Sequence, residues 1–193
     1  MKKLTAFIAG ILSFLPLGQP LLIKTSLVLS SSGLMLLVPE KANAENADFY
    51  FDRAFEKGEN GDYYGAISDF TKAIEINPND AVAFYNRGIA KDDLKDYYGA
   101  IADYKKAIEI NPKFVRAYNN IAYIKRQTEI NDNYGAIFYS TKAIEINPNH
   151  SNAYLNRGVA KKNIGDMKGA CSDWKRASSL GNEYTPQWVR EEC

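Results

Sequence analysis

Ile74-Glu75-Ile76-Asn77-Pro78 returns letter for letter at Ile108–Pro112 and again at Ile144–Pro148. The first two prolines stand 34 residues apart and the next two 36. A period of this length marks stacked, near-identical supersecondary units, each too small to bury its apolar face alone. Such arrays act through an extended surface, so the period itself argues against a buried catalytic centre.

Aligned on the prolines, the chain divides into units 47–80, 81–114, 115–150 and 151–184. Small residues recur where two helices must come close: Ala54, Gly88, Ala122 and Gly158 on the first helix of each unit. Ala66, Ala100, Ala136 and Ala170 open the second helix, and Ala73, Ala107, Ala143 and Ala177 follow two turns later. Four residues after each opening alanine comes an aromatic, as Phe70, Tyr104 and Trp174, with Tyr139 one residue early in the third unit. Tyr50, Phe84, Tyr118 and Tyr154 supply a bulky group on each first helix. Large side chains facing small ones at helical spacing predict ridges packed into grooves. Asp62-Tyr63-Tyr64-Gly65-Ala66 recurs at Asp96–Ala100, with weaker copies at Asp132–Ala136 and Asp166–Ala170. Each aspartate is placed to cap the helix that follows. Asn77, Asn111 and Asn147 precede proline, which drives them out of helical geometry and ends the second helix.

These features together resemble the tetratricopeptide repeat family, whose units have this length, these small positions, an early aromatic and a closing proline. The resemblance spans 47–184 and implies an all-α fold, an α-solenoid of four helix-turn-helix repeats wound as a right-handed superhelix. Two departures stand out. The third copy carries two extra residues near Glu129–Asn133, and the fourth ends in Gly181-Asn182 where the others have Asn-Pro.

The ends lie outside the array. Residues 1–44 begin with basic Met1-Lys2-Lys3, hold apolar stretches at Leu4–Leu17 and Ser26–Val38, and finish at Ala42-Asn43-Ala44. The small-x-small ending predicts a signal peptide cleaved after Ala44 and export across a membrane, into a periplasm or equivalent lumen. The alternative is an uncleaved amino-terminal anchor, the one way this chain would meet a membrane. Removing 44 residues from 193 leaves 149, enough for one buried core. The leader takes four of the 24 basic residues and one of the 23 acidic ones, leaving 20 against 22. A charge of −2 gives nucleic acid no electrostatic footing, so that partner class is excluded.

At the other end, Thr185-Pro186 reads as a cap and first-turn proline, predicting a short capping helix within 185–193. Trp188 and Val189 would cover the open apolar end of the stack. Cys171 takes the place of Ile67, Ile101 and Ile137, so it should face this terminal segment, where a bond to Cys193 would pin the helix. Two free thiols are the alternative.

No catalytic constellation is legible. His150 is the sole histidine, beside Asn149 in a turn, where capping or solvation is the expectation. No cofactor or metal site is anticipated: two cysteines and one distant histidine do not make a zinc site, and no phosphate loop or nucleophile elbow occurs. The chain reads as a non-enzyme.

What remains is surface. In the resembled family the first helices line a concave groove. Carried onto this chain, that implies Phe51, Tyr85, Asn119 and Leu155 at one register, Phe55, Ile89, Tyr123 and Val159 at another, and Asn86, Asn120 and Asn156 beside them. Asp52, with Asp48, Glu59, Asp92 and Asp93, makes the early wall acidic; Arg126, Arg116 and Lys162 make the later wall basic. The positions with which some relatives grip chaperone tails hold Phe51, Phe55, Tyr85 and Ile89 here, so that clamp is absent. The expectation is a scaffold that captures an extended or helical segment of another protein, in envelope complex assembly. The alternative is a structural subunit acting through self-association or the convex face.

Overall fold

The computed structural model describes residues 25–29, 35–127 and 130–193. It divides into two compact units, Met1–Ala42 and Asn43–Cys193. In the first, Thr25–Leu29 (β1) and Met35–Pro39 (β2) pair antiparallel, Thr25 opposite Pro39 and Leu29 opposite Met35. Of the rest of the anticipated leader, 1–24 and 30–34 lie outside the described residues and 40–44 fall in the first helix. From Glu40 onward the described residues form helices joined by short turns: α1 (Glu40–Glu59), α2 (Tyr63–Ile76), α3 (Ala81–Asp93), α4 (Tyr97–Ile110), α5 (Val115–Arg126), α6 (Asn133–Ile146), α7 (Ser151–Asn163), α8 (Met167–Ser179) and α9 (Thr185–Glu192).

Local chemistry explains the boundaries. Asp62, Asp96, Asp132 and Asp166 each cap a second helix, accepting from the backbone N–H of the glycine three residues on. Asn77, Asn111 and Asn147 close those helices, and each side chain accepts from the N–H two residues later. The turn between paired helices needs one left-handed residue, at Gly61, Lys95, Asn131 and Gly165, with φ of 79°, 61°, 47° and 86°. Glycine meets that demand freely; Lys95 does not.

Packing follows the small-against-large rule. A Cβ added at Gly88 would lie 2.7 Å from the Tyr104 ring, and one at Gly158 would lie 2.5 Å from Trp174 Nε1. Ala54, Ala66, Ala100, Ala107, Ala117, Ala122 and their successors are fully buried. A buried ion pair backs this core in three units. Asp69, Asp103 and Asp173 receive paired bonds from Arg53, Arg87 and Arg157, and also an ammonium from Lys57, Lys91 and Lys161. Arg87 and Arg157 reach further, donating to Thr71 and Thr141 of the preceding unit at 3.0 and 3.3 Å. Each guanidinium thus ties one repeat to the next.

The third unit departs from this plan. Ile121 and Tyr139 stand where the other units have arginine and aspartate, and Ser140, fully buried, stands in the aromatic place. Tyr139 packs its ring against the core, 6.3 Å from Tyr118, as the sequence suggested, but from the neighbouring register. It replaces the carboxylate, and Lys125 turns to Asp132 at 2.5 Å.

Helix α9 continues the stack as a lone first helix. Trp188 sits edge-on to Trp174, centroids 5.2 Å apart, and Lys162 pairs with Glu192 at 2.5 Å. Cys171 and Cys193 are bonded, their Cα atoms 5.6 Å apart.

Candidate protein-binding surface

Side chains from the last turns of α1 and the second half of α3, with Tyr63 and Phe70 of α2, enclose an apolar cleft of about 190 Å³. Phe55 and Ile89 form its walls above Ala54, Phe70 and Ala90, with Asn86, Glu59 and Asp93 at its rim. Phe55 is 50 % exposed, an apolar ring left open to solvent. A second cleft, of about 350 Å³, lies between α5, α7 and α9 and is lined by Asn119, Tyr123, Arg126, Asn152, Leu155, Asn156, Tyr184 and Trp188. Between them Tyr123 also borders a shallower hollow with Asp92, Asp93, Lys95, Tyr97 and Gln127.

Eight of the twelve residues singled out from sequence therefore line these clefts: Phe55, Asn86, Ile89, Asn119, Tyr123, Arg126, Leu155 and Asn156. The other four do not. Tyr85 is only 8 % exposed, its ring 4.7 Å from Phe114 and 5.5 Å from Tyr104, and burial raises its phenol pKa. Asn120 donates to the Tyr85 hydroxyl at 3.3 Å, and Phe51 packs edge-on against Phe70 at 5.4 Å. Asp52 is exposed but borders neither cleft. Tyr85 and Phe51 thus belong to the inter-helix core, because residues at that register face the second helix of their own unit as well as the wall.

Asn156 needs a qualified place. It is 2 % exposed and works from beneath, accepting from Arg126 Nε at 2.9 Å and donating to Asn119 Oδ1 at 2.9 Å. Arg126 lies over the Tyr123 ring at 4.8 Å, and burial lowers its pKa. Lys162, read as free positive charge, is neutralised by Glu192. Asp92 is half-buried at the end of α3, and burial, helped by neighbouring Asp93, pushes its carboxyl up to about 6. His150 takes the residue before α7 without capping it; its ring is half-buried, and that burial lowers its pKa. Tyr184 and Asn152 were missed. Tyr184 stands 34 residues after His150, so continuing the period one unit further would have placed it beside the already expected Trp188; Asn152, the second residue of the fourth unit, carried no such signal.

Paired helices repeated along one axis, with their first members sharing one lined wall, define a helical-repeat protein that presents a surface. Tetratricopeptide repeat models match residues 47–80, 81–114, 115–150 and 139–171, and the chain belongs to the tetratricopeptide repeat family. No curated protein sequence matches it. Among solved structures it is similar to the MamA protein, with a TM-score of 0.67 and 23 % identity over 76 % of each chain. It is also similar to the Arabidopsis OM64 TPR domain, at 0.59 and 22 %, over 62 % of this chain and 98 % of that one. A third is the first TPR of Spaghetti (RPAP3) bound to HSP90 peptide SRMEEVD, at 0.60 and 20 %, over 63 % and 95 %. At these identities the likeness is one of fold.

Proposed function

We propose that this protein is a non-enzymatic scaffold that holds an extended or helical segment of another protein along the wall of its first helices. The observation that carries the reading is the solvent-facing Phe55 beside Ile89, which leaves an apolar cleft open between α1 and α3. Burying two such side chains against a partner removes apolar surface from water at about 25 cal/mol per Å². Asn86 and Asn119 beside the clefts offer hydrogen bonds to a partner backbone. That RPAP3 holds a peptide supports the reading for a protein of this fold.

The basic and apolar start of the chain, with a small-x-small ending at Ala44, supports export and assembly work in an envelope compartment. The bonded cysteine pair suits such an oxidising location. Among the described residues no helix is long and apolar enough to cross a membrane. Changing Phe55 and Ile89 together to serine tests the reading. Copurification of a specific partner should fall sharply while helicity and melting are kept; unchanged copurification removes the wall from the account.

One observation favours the alternative, self-association. Tyr64, Tyr98 and Tyr134 occupy the same place in three successive units and are 77, 78 and 75 % exposed. Sedimentation of the wild type beside a Tyr64→Ser, Tyr98→Ser, Tyr134→Ser variant decides it. A concentration-dependent dimer in the first alone supports that reading.

A further inference from the structure

Met167, Lys168, Cys171, Ser172 and Lys175 of α8, with Glu192 and Cys193, line an open hollow of about 500 Å³. The two bonded sulfurs differ in access: Cys193 is exposed, and Cys171 on α8 is less so. Lys168 and Lys175 are exposed, and among the described residues neither has an ion-pair partner. Glu192, the carboxylate side chain that lines the hollow, is taken up by Lys162 at 2.5 Å. The side chains around the sulfurs therefore leave positive charge unmatched. What the bond secures is lightly held otherwise. Helix α9 has eight residues and buries Thr185 alone, and a helix this short is marginal in water. Asn182 Oδ1 accepts from the Thr185 N–H at 3.2 Å and anchors its first turn. Its far end has the Trp188–Trp174 contact, the exposed Lys162–Glu192 pair and the disulfide.

We propose that Cys171–Cys193 is a thiol–disulfide exchange site for a dithiol, and that exchange there releases α9 from the stack. A thiolate of the dithiol attacks Cys193 Sγ, the accessible sulfur, and forms a mixed disulfide. The electron pair of the broken S–S bond leaves on Cys171 Sγ as a thiolate. The second thiol of the reagent, deprotonated, then attacks its own partner sulfur in the mixed disulfide and expels Cys193 as a thiolate. The two protons given up by the dithiol end on the two cysteines. The dithiol is oxidised by two electrons to a disulfide, and the cysteine pair is reduced by the same two. Lys168 and Lys175 draw in the anionic nucleophile and favour Cys171 as the leaving thiolate. With the bond open, the far end of α9 keeps one ring contact and an exposed ion pair, which holds little. Trp188 also walls the second cleft, so release removes part of that wall. The effect on partner capture rests on the scaffold reading above; the exchange and the release do not.

Trp174 and Trp188 are the only tryptophans, so indole emission reports the contact between α8 and α9 directly. The test treats the oxidised chain with dithiothreitol in buffer free of denaturant and follows emission, helicity and amide exchange together. The expected result is full reduction, a change in indole emission, and amide exchange across Thr185–Glu192 faster by about tenfold or more, with α1 to α7 unchanged. A monothiol identifies the attacked sulfur. After glutathione and a maleimide quench, mass spectrometry should find glutathione on Cys193 and maleimide on Cys171. Changing both exposed lysines, Lys168→Gln with Lys175→Gln, should slow exchange with anionic mercaptoethanesulfonate by about threefold or more and with cationic cysteamine by less. Four results overturn the proposal: a bond that resists reduction until the array unfolds, glutathione on Cys171 instead, a reduced chain whose α9 exchanges as slowly as before, or a rate toward the anionic thiol that the double substitution leaves unchanged.

Discussion

Asp103 receives three donors, two from Arg87 and one from Lys91, at 2.7–2.9 Å in a buried setting. Removing its charge strands two cations, so Asp103→Asn should cost about 3 kcal/mol, near the low end for a buried pair because both cations keep some solvent contact. Urea unfolding measures it. Two carboxyls pull the pH profile in opposite directions. Arg53, then Lys57, hold Asp69 down to about 2, so its stabilisation is complete above pH 4 and lost as pH falls through 2. Asp92, raised to about 6, keeps its proton in the folded state where the unfolded chain has released it. Its contribution therefore grows as pH falls through 6 toward 4. Asp92→Asn should raise the melting temperature at pH 7 and flatten the profile between pH 4 and 6. None of these pairings was legible from composition, since an arginine and an aspartate 16 residues apart read as solvated charges. Their recurrence did carry a signal. Arg53, Arg87 and Arg157 share one register, as do Asp69, Asp103 and Asp173, and the third unit breaks both together with Ile121 and Tyr139.

Helices and their pairing were legible because each depends on residues close in the chain: the capping aspartates, the Asn-Pro stops and the small residues at helical spacing. The left-handed turn residue was not. Only two of its four occupants are glycine, and Lys95 hides the requirement. Lys95→Gly should therefore stabilise the protein by about 0.5–1 kcal/mol, the relief of strain less the added freedom of the unfolded chain. A rise in melting temperature checks it. Gly158→Ala should do the reverse, costing about 1–3 kcal/mol as the new methyl meets the Trp174 indole. Its sign is readable by chemical unfolding followed at Trp174. The disulfide was foreseen from the place of Cys171 opposite a terminal segment. Closing a 22-residue separation contributes about 3 kcal/mol in the chain-entropy treatment. Cys193→Ser should lose about that much, and α9 should show faster amide exchange before the rest of the array does.

For the stack as a whole, sequence periodicity located the wall but could not divide it between surface and core. Phe51 and Phe55 are both phenylalanines on α1, one turn apart, yet Phe51 packs against Phe70 while Phe55 faces solvent. That division depends on how each first helix is rotated against its neighbours, which no local signal encodes. The resulting wall is uneven in a useful way. An apolar cleft with acidic rim residues Glu59 and Asp93 sits at one end, and a cleft around basic Arg126 sits at the other. A bound segment would be oriented by that difference, a basic part toward α1 and α3 and an acidic part toward α5 and α7. Raising salt should weaken its capture mainly by slowing association. Site-specific photo-crosslinking in the producing cell tests the central claim most directly, with a benzophenone side chain placed in turn at Phe55, Tyr123 and Tyr98. The account predicts adducts to one and the same second polypeptide from Phe55 and Tyr123, and none from Tyr98, which is exposed but lines neither cleft. Adducts from Tyr98 alone would contradict it.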